Sequence, residues 1–332
     1  MSYHTAVDCL ANRAQHPGLD PETCVSQTPP MGKLSRALVF VLLLASYVPA
    51  CYPSDDPPAD PIERPEDMIL FDTNRDGNWE IYSIGADGSN PTRLTDRYGS
   101  DYGPWPSPDG SRLVFFSRTG SINSLYKMRI DGQDIVKVPD LPGSAAGPVW
   151  SPDGTKFAFV SFHDGDGEIC TIEVDGTGFR QLTSNTHGDF EPTWLPDGES
   201  IGWSGETSDG SHIFAMRADG TDVQQLTTGS SFNGYAHWSP DGLLIVFCSN
   251  RSGPWEIYVM DAAGGNIAQL TCLGSHSGVP RWSPDGSQIV FQSDVDGDSE
   301  IYVMNADGSD LRQVTHNTAE DAHPCWLPHP NP

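Results

Sequence analysis

The side chains best suited to chemistry recur at one spacing. Asp101, Asp189, Asn233 and Asp321 stand at multiples of 44 residues from one another, and Glu191, Tyr235 and His323 follow two positions later, with His237 close by. Carboxylates and imidazoles converging on one mouth of a channel would hold a divalent cation such as calcium, or a cationic ligand such as a peptide amine. The competing reading is that each Asp caps its own loop, because Asp and Asn side chains bond readily to nearby backbone. Another acidic series, Asp294, Asp296, Asp298 and Glu300, alternates in the manner of a calcium loop. An EF-hand, however, places its Glu at the twelfth position, and here Glu300 is the seventh residue from Asp294, so hairpin turn chemistry competes with metal ligation.

The sequence contains no GxSxG, no HExxH, no P-loop and no GxGxxG opening a helix, so no catalytic residue is assigned. Two classes of function remain. The preferred one is a non-catalytic binding or scaffold module whose partner is a protein, peptide or glycan. The alternative is a small metal-dependent lyase or hydrolase acting on a sugar or lactone, with Asp101, Asp189, Glu191, His237, Asp321 and His323 as ligands or bases. A tightly bound, stoichiometric metal would separate the two. Asp and Glu number 45 against 18 Lys and Arg, for a net charge of −27, which opposes binding to nucleic acid or to anionic lipid headgroups.

What must position these residues is a 44-residue repeat. The turn Ser-Pro-Asp-Gly begins at Ser107, Ser151, Ser239 and Ser283, with Leu195 and Leu327 in the same register. Asp-Gly recurs at Asp87, Asp131, Asp175, Asp219 and Asp307, with Ala263-Gly264 in the remaining slot. Ser-Pro-Asp-Gly is a type I turn signal and Asp-Gly a tight hairpin signal, so strands lie between them. Each unit reads as strand A ending in Trp, the first turn, strand B, a looser loop, strand C, Asp-Gly, and strand D ending in Leu-Thr or Val-Thr. Four antiparallel strands make one blade. The fold class is all-β: a six-bladed propeller over 67–330, closed by the C-terminal strand joining the first blade. The tryptophans Trp150, Trp194, Trp238, Trp282 and Trp326, with Trp105-Pro106 shifted in the first copy, read as packing between blades. The D to A and B to C loops share one face and vary most, so that face is where a partner is expected.

Residues 1–30 read as an upstream extension and 31–51 as an export signal, with Lys33 and Arg36 before the apolar stretch Ala37 to Val48. Val48-Pro49-Ala50-Cys51 matches a lipobox in outline, with Pro49 departing from the usual pattern. Two outcomes stay open, acylation of Cys51 or ordinary cleavage nearby; either places the protein outside the cytoplasm, in the periplasm or cell envelope, with a lipid anchor as its only membrane contact. Residues 52–66, rich in Pro and Asp, read as a tether. Cys170, Cys248, Cys272 and Cys325 lack CxxC spacing; disulfides among them and burial as small hydrophobes are both open.

The units, for example VPRWSPDGSQIVFQSDVDGDSEIYVMNADGSDLRQVT, resemble the WD40-like (PD40) repeats of the TolB-type propeller. The resemblance covers about four fifths of the chain and implies a cell-envelope binding role. It extends to the propeller alone, since 1–66 read as signal and tether rather than as the N-terminal α/β domain of that family. The same repeats are similar to the propellers of prolyl-oligopeptidase-type peptidases and of oligogalacturonate lyase, so fold alone does not set function.

Overall fold

The structure, a computed structural model, describes residues 67–139 and 141–328. The export signal, Cys51, the tether and residues 329–330 of the expected propeller lie outside the described residues. The described residues form strands and turns and no helix.

Six four-stranded antiparallel sheets stand in a ring, each with the strand order A-B-C-D. Blade six is typical, with strands Ser277–Trp282, Gln288–Ser293, Glu300–Asn305 and Arg312–Gln313. Strand D is short in every blade, two residues in each case. The A strands of successive blades touch one another all the way round, so they form the inner wall of the central channel. Blade one is composite: Asp321–Trp326 supplies its strand A and pairs with Met68–Thr73, Ile69 lying opposite Trp326 and Thr73 opposite Asp321. The closure expected from the register of the repeat is the closure observed, and it leaves no open edge at the seam.

Alternation explains the packing. Strand B of each blade sends one face to each neighbouring blade, and six apolar clusters fill the six junctions. The tryptophan at the end of strand A packs on the preceding blade's strand B: Trp150 with Val114, Trp194 with Ala158, Trp282 with Val246, Trp326 with Val290. A buried Trp removes about 150–250 Å² from water, worth roughly 4–6 kcal/mol before entropy is subtracted. At the fourth junction the facing residue is Gly202, and a Cβ there would lie 2.3 Å from Cη2 and Cζ3 of Trp238. Within blades, aromatic pairs bridge strands B and C, as in Phe71 with Tyr82 (5.9 Å) and Phe291 with Tyr302 (5.8 Å).

Polar repeats do structural work. Ser107 Oγ donates to Asp109 Oδ1 (2.6 Å), whose carboxylate also accepts from Ser111 N (3.0 Å); Ser239 with Asp241 and Ser283 with Asp285 repeat the bond. These hydroxyls hold the turn aspartates below the usual carboxylate range. The Thr of each Leu-Thr has a second purpose. Thr95 Oγ1 accepts from Ile81 N (2.9 Å) and donates to the buried carboxylate of Glu80 (2.5 Å), tying strand D to the start of strand C. Thr183 with Glu168 and Thr271 with Glu256 do the same. Cys170, Cys248 and Cys325 are buried, Cys272 is exposed, and no disulfide links the four.

Candidate functional site

The two tiers of expected site residues separate in the structure. Asp101, Asp189, Asn233 and Asp321, at the start of strand A, are buried; the last three are bonded to neighbouring groups, while both carboxylate oxygens of Asp101 lack a hydrogen-bond partner among the described residues. Asp321 takes two bonds from Arg75 Nη2 (3.1 Å each) and one from Asn317 Nδ2 (2.7 Å). Asp189 accepts from Trp203 Nε1 (2.9 Å) and Asn185 Nδ2 (2.6 Å). Asn233 donates to the carbonyls of Ser211 and Ser231 and accepts from Arg251 Nη2 (2.6 Å). Burial raises the carboxyls of Asp101 and Asp189 above their ordinary range, against the opposing pull of neighbouring donors.

The second tier lies where strand A, the inner strand of each blade, breaks its ladder. In every blade strand A bulges against strand B two residues on, where the ladder shifts register. The residue at the bulge is left-handed all round the ring: Gly103, Gly147, Glu191 (φ 57°), Tyr235 (φ 54°), Val279 (φ 53°) and His323 (φ 48°). For a β-branched Val that conformation is a genuine outlier, held because the ring geometry demands it. The bulge frees a backbone N–H that a side chain of the preceding blade accepts: Gly103 N donates to Asp72 Oδ1 (3.0 Å), Tyr235 N to Glu191 Oε2 (2.7 Å) and Ser204 Oγ (3.2 Å), His323 N to Gln292 Oε1 (2.8 Å).

Two polar knots result. In one, Glu191 accepts from Ser204 Oγ (2.7 Å) and from Tyr235 N, and burial pushes both the Glu191 carboxyl and the Tyr235 phenol upward. In the other, His323 Nδ1 lies 3.0 Å from Asp72 Oδ1. Burial alone would lower His323; the Asp72 carboxylate and its bond outweigh that and raise it. Asp72 was not legible as a site residue, although it stands where the other units carry Phe116, Val160, Ser204, Cys248 and Gln292.

Next along strand A come Trp105, Val149, Thr193, His237, Arg281 and Cys325. Trp105 therefore does not fill the inter-blade slot of its fellows; Pro106 stands there, and Trp105 turns its ring to His237 (5.7 Å, edge-on) and Arg281 (5.0 Å). His237 Nδ1 accepts from Trp282 N (3.0 Å), and burial holds the imidazole neutral, well below its usual value. A cavity of about 320 Å³ opens here, on the face of the Ser-Pro-Asp-Gly turns. Trp105, the five other tryptophans of the ring and the turn prolines line it, with His237, Arg281 and Cys325.

The opposite face carries the variable loops. Half-buried aromatics gather there at alternate junctions: Trp79, Tyr102 and Phe116 (5.5 and 5.3 Å between rings), Phe162 and Phe190 (6.4 Å), and Phe232, Trp255 and His276 (4.4 and 5.4 Å). The acidic series on these loops is dispersed: Asp294 accepts from His276 N (2.8 Å), Asp296 from Gln313 Nε2 (2.6 Å) and Glu300 from Asn317 N (2.6 Å). Among the described residues the acids whose oxygens gather within 4.8 Å are instead Asp164, Asp166 and Glu168, at the equivalent loop of blade three.

Residues 133–242 match the family model described as the TolB beta propeller domain. The propeller is of the TolB type. A TolB from Acinetobacter baumannii superposes with a TM-score of 0.70 at 20% identity, over 79% of this chain and 67% of that one. A putative TolB from Agrobacterium tumefaciens gives 0.63 at 24%, over 75% of this chain and 88% of that one. An oligogalacturonate lyase in complex with manganese gives 0.53 at 21%, over 74% and 73%. An uncharacterized protein of Agrobacterium fabrum is 41% identical over 49 residues, a match that spans 15% of this chain and 17% of that relative. At these identities the solved structures share the TolB-type ring and nothing finer.

Proposed function

We propose that this TolB-type propeller is a non-catalytic, extracytoplasmic binding module that presents its variable-loop face to a protein partner, held in the cell envelope through the export signal and a lipid on Cys51. The observation that carries the reading is the set of half-buried aromatic groups on that face, at three of the six junctions. Aromatic side chains leave water at low entropic cost and dominate the centres of protein interfaces, and grouped aromatics rimmed by polar loops suit a partner better than a lone exposed ring does. Flat rings also stack on sugars, so a glycan or peptide is the neighbouring possibility in the same place. The channel acids support a binding role over a catalytic one, because Asp72 and Glu191 already accept hydrogen bonds from protein donors and His237 spends its Nδ1 on a backbone N–H.

The test is site-specific photocrosslinking from Tyr98, which is 94% exposed on this face, in envelope preparations. A Trp79→Ala, Trp255→Ala variant with unchanged thermal stability is expected to lose the crosslinked species. Retention of that species in the variant would sink the assignment of this face. Labelling with a palmitate analogue, lost in Cys51→Ala, checks the anchor.

A further inference from the structure

The second mouth of the channel carries a charge that nothing answers. Arg281 is half-buried in the wall of the 320 Å³ cavity, its guanidinium carbon 5.0 Å from the centre of the Trp105 ring. Its Nη1 donates to the carbonyls of Pro280 (2.9 Å) and Tyr235 (3.4 Å), which fixes the fork in place. Among the described residues its Nε and Nη2 donate to no acceptor, and no carboxylate lies within 4.0 Å of it. Glu191 is the carboxylate whose field Arg281 feels most, yet that oxygen is spent on Ser204 Oγ and Tyr235 N. His237 beside it is neutral, so Arg281 is the one formal cation of the cavity lining. The indole Nε1 atoms of Trp150, Trp194, Trp238, Trp282 and Trp326 are buried away from the surface, so these side chains offer a ligand no accessible donor. A planar cation with idle donors, over an aromatic face and out of bulk water, is matched to a carboxylate.

We propose that this mouth is an anion site that takes a single carboxylate carried on an apolar body, such as the last residue or an acidic side chain of a peptide. The walls are tryptophan and proline rings, which cover apolar surface but offer no second charge. A polyanion is excluded by the net charge of −27, which repels each further negative group, whereas one carboxylate paired with Arg281 is compensated on arrival. About 320 Å³ sits at the small end of ligand pockets and admits one or two residues rather than a folded surface. The site lies on the turn face, away from the aromatic groups of the loop face, so the two proposals stand or fall separately.

The experiment is a calorimetric and tryptophan-fluorescence titration of the full chain with N-acetylphenylalanine, N-acetylphenylalaninamide, a dipeptide ending in phenylalanine, and a capped peptide with one internal Glu. A charge-assisted contact predicts that the acid binds roughly tenfold or more tightly than the amide. Arg281→Gln is expected to erase that preference, while Trp79→Ala with Trp255→Ala leaves it intact. Tighter binding of the dipeptide than of the free acid marks a peptide terminus as the source, tighter binding of the internal Glu marks a side chain, and the reverse of both marks a small free acid. Equal binding of acid and amide, or no saturable binding of any carboxylate, overturns the proposal. The wild-type comparison of acid with amide decides the matter even if Arg281→Gln fails to fold.

Discussion

Gly202 and Trp238 allow the inter-blade packing to be tested as a pair. A methyl group at 202 would come within 2.3 Å of two indole carbons, where about 3.5 Å is comfortable, so the Trp238 ring must retreat by more than 1 Å. That ring is 3% exposed and packed with Ile213, Ile245, Phe247, Tyr258 and Met260, and cores resist such insertion by about 1–3 kcal/mol. Trp238→Phe removes the atoms that collide and on its own leaves a void, at a cost of about 2 kcal/mol. Combined, the methyl occupies part of the void, and the double variant should be less destabilised than the sum of the singles by about 1–3 kcal/mol. Urea denaturation followed by tryptophan fluorescence measures all four corners of the cycle. Additivity within about 0.5 kcal/mol would refute the reasoning. The third junction supplies a comparison, because Ala158 already carries a methyl where it meets Trp194. Removing it, in Ala158→Gly, should show no matching gain.

Val279→Gly should cost about 2 kcal/mol less than Val149→Gly in the same denaturation assay: both valines are buried strand-A residues, but only Val279 is held at φ 53°, where glycine is unstrained. Ending the chain at 320 removes the strand that completes blade one, and the truncated protein should melt without a cooperative transition by circular dichroism. Glu168 and Glu300 sit at about 7, chiefly because burial disfavours their charge, so the fold prefers them protonated. Their stabilising contribution is full below the ordinary value of 4.5 and is lost as pH rises through about 7. The melting temperature should therefore fall across that window, and Glu168→Gln with Glu300→Gln should flatten the fall.

Everything that repeats was legible before the structure, because a step of 44 carries the turns, the tryptophans and the closure at once. Most of the candidate site was not, for the opposite reason. Asp72, Trp105 and Arg281 break their repeat positions rather than keep them, and they meet their partners only because the ring brings together strands far apart in the sequence: Asp72 on strand B with His323, and Trp105 with Arg281 across two A strands. Their separation in sequence, from 72 to 281, leaves no motif to read. Glu191, Tyr235 and His323 share one repeat position, yet the left-handed bulge they occupy has no composition of its own, since it accepts Gly, Glu, Tyr, Val and His alike. Asp101, Asp189, Asn233 and Asp321 shared that spacing, and three of them are taken up by neighbours that no spacing announces: Trp203 and Asn185 on Asp189, Arg75 and Asn317 on Asp321, and Arg251 on Asn233. The turn-face cavity escaped notice because its walls are the most uniform residues of the repeat.

The seam has a directional weakness. Asp321–Trp326 runs antiparallel to Met68–Thr73, and the outermost bond of that ladder, Leu327 N to Met68 O at 2.8 Å, lies where both strands leave the sheet. A pull applied to the two exits would not load the whole ladder in shear; it would open the bonds one after another from that corner, as a zip opens from its slider. The ring is closed against heat and competing strands, yet tension across these exits meets only one bond at a time.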